Sequence, residues 1–240
     1  MTSIKKTTEE RSQTITKILD EYPDLAQAID PMFNSIQAIL TVVLHTEHST
    51  DRLLLFMLWR QIVDYQEDSL ILILDKRFDA GIALLRMTTE LARDIARMNE
   101  DVTNIKMWQN KLKINRETYY KHTFRFNKKD HLEKLVYKQY NAFSELGTHG
   151  HTGTISHQTP VGTTPDGKFM KLGIPDEAVI RNVALWMMAF FPVNKLCARV
   201  FEQAIIEQER QLLSAFDRLA TMIGDLAISW QDYGKNHSAK

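Results

Sequence analysis

Glycine and proline are spread so unevenly along this chain that they fix its structural class. Six of the nine glycines (Gly147, Gly150, Gly153, Gly162, Gly167 and Gly173) share one window with Pro160, Pro165 and Pro175. Elsewhere breakers are sparse. Proline removes a backbone donor and glycine costs chain entropy on ordering, so long stretches without either are what long helices require. The sequence predicts an all-α fold: one helical-bundle domain over 1–240 with six or seven helices. One long Gly/Pro-rich loop insertion is expected at 147–174, between the fifth and sixth helices, and a disordered tail at 235–240. Within the loop, "TTPDGKF" is a turn signal and invites a short β-hairpin.

Apolar spacing places the helices. Asp24 to about Thr46 carries Leu25, Ile29, Met32, Ile36, Leu40 and Val43 at helical intervals. Ser49 or Thr50 can cap a second helix to about Asp75, apolar on all sides at its ends and polar in its middle. In "RFDAGIALLRMTTELARDIARM", Leu84, Leu85, Met87, Leu91, Ala92, Ile95, Ala96 and Met98 share one side. Arg86, Glu90, Arg93, Asp94 and Arg97 share the other, which reads as a solvated face. Further helices are expected from about Val102 to Thr123 and from Asp130 to Leu146, the latter with Asp130 as N-cap and Glu133 at capping-box spacing. Another should run from Pro175 to about Gln211 with a kink near Pro192, and a last one from a Ser214 cap to about Tyr233.

Composition closes several routes. Thirty basic and thirty acidic residues give a formal net charge of zero, so no global field draws the chain to DNA or an anionic membrane. Cys197 is the only cysteine, which excludes an internal disulfide and any CxxC site. "MTSIKKTTEERSQTITK" has no apolar core of a signal peptide. The longest apolar run, Val183 to Val193, is shorter than a bilayer span. The expectation is a cytoplasmic chain with no membrane partner and no cofactor. P-loop, GxGxxG and GxSxG motifs are absent. Apolar helix faces in excess of one core point to a homodimer.

Two stretches carry candidate chemistry. In "SELGTHGHTGTISH", His149, His151 and His157 lie among small polar residues. Imidazoles so spaced can bind zinc, which would make a metal-dependent hydrolase, although no HExxH or cysteine pairing completes the set and no metal ligand is assigned. Asp64, Glu67 and Asp68 sit in an otherwise apolar helix but lack the Glu-x-x-His pairs of a di-metal bundle. The second stretch is basic. From Lys106 to Tyr140 there are ten Lys or Arg against three Asp or Glu. Tyr119, Tyr120, Phe124, Phe126, Tyr137 and Tyr140 are interleaved with them. Cations that neutralise phosphate, alternating with rings that stack on bases, are what RNA or nucleotide binding uses. The nucleic-acid-binding candidates are Arg116, His122, Arg125, Lys128 and Lys129. The same aromatics at helical spacing also suit ordinary packing.

"LLRMTTEL" (Leu84–Leu91) and "YNAFSELGTH" (Tyr140–His149) resemble a bacterial family of uncharacterised helical proteins. That family couples an Arg-x3-Glu helix to a later Tyr-x3-Ser segment ending in His. It is similar in layout to the HEPN-type bundles of defence and toxin systems. The resemblance implies a helical bundle acting as a binding or interaction module, in defence or stress. It carries over Arg86, Glu90, Tyr140, Ser144 and His149, of which Arg86, Glu90, Ser144 and His149 are the candidate catalytic set. Many HEPN-type ribonucleases use Arg-x4–6-His. Arg116 with His122 and Arg125 with His131 fit that spacing, which makes a metal-independent endoribonuclease the alternative. About one such match is expected by chance, so the spacing alone has little weight.

Overall fold

The computed structural model describes residues 4–46, 49–114, 118–148, 161–163, 169–171 and 176–237. The fold is all-helical, with eight α-helices among the described residues: α1 (Ile4–Glu21), α2 (Pro23–Leu44), α3 (Thr50–Leu74), α4 (Phe78–Glu100), α5 (Thr103–Gln109), α6 (His131–Thr148), α7 (Asp176–Val200) and α8 (Glu202–His237). The helix beyond the expected six or seven is α1, whose largely polar sequence hides it. The loop window therefore follows the sixth helix, not the fifth. Within it, Val161–Thr163 pairs antiparallel with Phe169–Lys171. The "TPDGK" turn and the histidines His149, His151 and His157 lie outside the described residues.

Caps set several boundaries as the sequence predicts. Ser49 accepts the backbone N–H of Arg52 and opens α3. Asp130 accepts the N–H of Glu133 at 2.9 Å and opens α6. The α3 terminus is a Schellman motif: Lys76 N–H donates to Ile73 and Arg77 N–H to the Leu72 carbonyl. Lys76 takes the left-handed conformation (φ 61°) that glycine usually supplies there. Its ammonium pairs with Asp176 of α7 at 2.6 Å, which ties this turn to the start of α7. Five residues after Lys76, Gly81 lets α4 approach α3 closely. A Cβ there would sit 2.8 Å from Ile73 Cγ1 and 3.0 Å from the Ser69 carbonyl oxygen, and Ser69 Oγ donates to the Gly81 carbonyl.

Three expected helices differ. The 102–123 segment is not continuous: α5 stops at Gln109, a 3-10 turn covers Lys111–Lys113, and a separate π turn covers Thr118–Thr123. Asn110 is the physical reason for the stop, since its side chain donates to the Lys106 carbonyl and competes with the helix ladder. Next, α7 ends at Val200 and does not run to Gln211. The break falls at Phe201, and α8 is kinked at Glu209. Pro192 leaves α7 intact. Its missing N–H would have met the Met188 carbonyl, and Gln139 Nε2 of α6 donates to that carbonyl at 2.6 Å. Finally, Ser214 lies inside α8, which continues to His237 through much of the expected tail.

Between the helices lies one continuous apolar core, with Trp59, Trp186, Phe124, Phe143, Phe190 and Phe201 among its largest fully buried side chains. Among the described residues α7 is the one helix long and apolar enough to cross a bilayer, and it is packed against α3, α4, α6 and α8. Cys197 is buried in it, and burial pushes its thiol pKa up. Helix α4 is central, packing on α3, α5, α6 and α7. For that reason its charged side is not the solvated face that the helical wheel suggests: Arg93, Asp94 and Arg97 are buried, whereas Met87 of the apolar side is 43% exposed.

Candidate functional site

The charged side of α4 forms one wall of a cleft of ≈ 1320 Å³. Arg86, Glu90, Arg93 and Arg97 follow at intervals of four, three and four residues, the spacing of a single helix face. The opposite wall comes from the connection between α5 and α6 (Tyr120, Phe124, Arg125, Phe126, Asn127, Lys128 and Lys129) and from Tyr137 and Tyr140 of α6. Among the described residues, six cations and five aromatic rings thus line one opening, with Glu90 the one carboxylate.

The α4 arginines are held by carboxylates and rings. Arg86 Nε donates to Glu90 at 3.1 Å, and its guanidinium lies 5.4 Å from the Tyr140 ring centroid. Arg93, only 3% exposed, donates twice to Asp94, at 2.9 and 2.6 Å. Its guanidinium lies between Tyr120 (5.2 Å) and Phe126 (5.4 Å). The second oxygen of Asp94 accepts from Trp108 Nε1 at 3.2 Å and from Tyr119 at 3.1 Å. One buried carboxylate therefore docks both α5 and the π turn on α4. Burial pushes the Asp94 carboxyl above the usual range, against the pull of Arg93. Burial and the Asp94 charge together push the Tyr119 phenol up.

Arg97 donates to Glu100 and to Glu133. Glu133, 1% exposed, also accepts the backbone N–H of Asn127 at 2.8 Å and lies 3.7 Å from Arg199 of α7. The expected capping box is therefore only half formed. Asp130 caps the helix as predicted, but Glu133 turns inward and anchors the loop that carries Arg125, Lys128 and Lys129. Arg199 donates to Asp130 at 2.8 Å. Burial alone would raise the Asp130 pKa. The N–H groups of Glu133 and Leu132 and the Arg199 guanidinium outweigh it and hold the pKa below the usual range.

The loop cations are arranged differently. Arg125, Lys128 and Lys129 are exposed, and among the described residues none is paired with a carboxylate. Lys128 Nζ sits 4.2 Å from the Tyr137 ring centroid. Hydrogen bonds from Asn141 and Lys128 lower the Tyr137 phenol pKa. Phe126 packs against both Tyr137 and Tyr140, at 5.4 and 5.7 Å.

Of the family-derived set, Arg86, Glu90 and Tyr140 meet in this cleft. Ser144, one turn beyond Tyr140, is half-buried and does not line it. His149 lies outside the described residues. Of the nucleic-acid candidates, Arg125, Lys128 and Lys129 line the cleft. Arg116 and the side chain of His122 lie outside the described residues. His131 is exposed on the first turn of α6 and does not line the cleft. Asp64, Glu67 and Asp68 are exposed on α3, and among the described residues no three metal-ligating side chains cluster. The sequence reasoning did not single out Arg93, Arg97 and Glu133. The signal for Arg93 and Arg97 is the four-three-four charge stripe on a helix too central to be wet, whereas Glu133 carries only its capping-box spacing. No family model, curated protein or solved structure matches the chain.

Proposed function

We propose that this chain is a binding module of the HEPN-like helical type, whose α4–α6 cleft holds a ligand carrying both phosphate and a nucleobase, an RNA or a nucleotide. One observation carries the reading: six cations and five aromatic rings line a single cleft in a chain of zero net charge. Phosphate recognition needs cations, and base recognition needs flat apolar faces. A surface shaped only by solubility would disperse both. Arg86 and Glu90 act here as part of the binding wall.

The test is titration of fluorescein-labelled oligonucleotides and of ATP into the protein at low salt, read by anisotropy and calorimetry. Saturable binding that falls at least tenfold in Arg125→Ala/Lys129→Ala supports the reading. Both side chains are exposed, so the variant should keep the wild-type thermal midpoint. Absence of binding to every phosphate ligand, or binding unchanged in the variant, overturns it.

A further inference from the structure

We infer that the occupant of the cleft is a single nucleic-acid strand, with a base directed inward and the sugar-phosphate backbone along the rim. This rests on the reading just proposed and deepens it. The cations fall into two groups. Arg86, Arg93 and Arg97 are already matched by Glu90, Asp94, Glu100 and Glu133. A phosphate placed against Arg93 or Arg97 would have to displace the buried Asp94 or Glu133, at a large cost in desolvation, and one placed against Arg86 would have to displace the part-exposed Glu90. The cations without a carboxylate partner among the described residues, Arg125, Lys128 and Lys129, all belong to one short exposed loop.

Phosphate therefore belongs at the rim and the flat, apolar part of the ligand inside, against the rings. A free nucleotide bound for its phosphates would call for the reverse arrangement. A duplex cannot supply an inward base, whereas a single strand splays bases out at little cost. Lys128 covers the Tyr137 ring. It is placed to leave the ring for a phosphate as a base takes its position.

The experiment compares a labelled single-stranded decamer, in ribo and deoxy forms, with a duplex of the same length and with unlabelled mononucleotides as competitors, across a salt series. Three rim cations predict a log–log salt slope of about −2, and each of Lys128→Ala and Lys129→Ala should reduce it by about 0.7. Tyr137→Ala should weaken the strand about tenfold or more through lost stacking, with the salt slope unchanged. Mononucleotides in hundredfold excess should not displace the strand. Displacement by mononucleotide, preference for duplex, or a slope unaffected by both lysine variants overturns this inference and leaves the proposed function standing. If no phosphate ligand binds at all, both fail.

Discussion

Two buried polar networks among the described residues are built from different materials. Between α3 and α7 the network is neutral. Trp59 Nε1 donates to Asn194 Oδ1 at 2.9 Å, Asn194 Nδ2 donates to Gln66 at 2.7 Å, and Trp186 Nε1 donates to the Gln66 carbonyl at 2.8 Å. All four residues have zero relative exposure. Along the cleft the network is ionic: Arg93 with Asp94, and Arg97 with Glu133. Amides and indoles can be enclosed on all sides because each needs only a hydrogen bond. Charges lose far more on enclosure and rarely add net stability against an apolar alternative. The charged network borders the α4–α6 cleft and the neutral one does not, so the proposed ligand site falls beside the buried charges.

The sharpest way to break this comparison is Glu133→Ala. It leaves Arg97 buried with only the half-exposed Glu100, and unfastens the Asn127 backbone. The expected loss is about 3 kcal/mol in urea unfolding, together with loss of ligand binding. The double replacement Glu133→Leu with Arg97→Met should recover most of that stability and none of the binding. Recovery of both would remove the functional meaning of the ionic network. Asn194→Ala is the counterpart in the neutral network. It orphans the Trp59 N–H and the Gln66 side-chain Oε1 and should cost about 2 kcal/mol, while the binding constant of the folded protein stays at the wild-type value.

The smallest effect is a pH effect. The folded-state pKa of Asp130 is depressed, so its stabilisation is fully present above the unfolded carboxylate pKa of about 3.9. It is lost as pH falls through the depressed folded value. Urea midpoints of wild type and Asp130→Asn should differ at pH 7 and converge toward pH 3. A gap that stays constant across that range would show that the Arg199 contact and the cap contribute nothing through charge.

How much of this was legible in the sequence follows from which forces act locally. Apolar periodicity and capping residues act within a few positions, so α2, α3, α4 and α6 were readable to within a few residues, as were the Ser49 and Asp130 caps. The break at Asn110 and the stop of α7 at Val200 were not. A helix running through Pro192 was expected, but its support by Gln139, a side chain from another helix, is not something a local pattern reveals. The basic-aromatic stretch from 106 to 140 supplies one half of the cleft lining. The other half was hidden because a helical wheel assigns polarity to one side of a helix but cannot say whether that side meets water. Only the packing of α4 on α3, α5, α6 and α7 decides that Arg93 and Arg97 are interior.

The position of Trp108 has a practical corollary. Its indole N–H shares the Asp94 carboxylate with Arg93 and Tyr119, and Lys111 lies 5.1 Å from its ring centroid. Trp59 and Trp186 are sealed in the core. With the fourth tryptophan, Trp230, replaced, two kinds of native fluorophore remain: one is hydrogen-bonded to the buried Asp94 beside the cleft, and two respond when the bundle itself opens. Emission collected from variants that keep one set or the other would separate occupancy from unfolding in the same cuvette, with no dye attached.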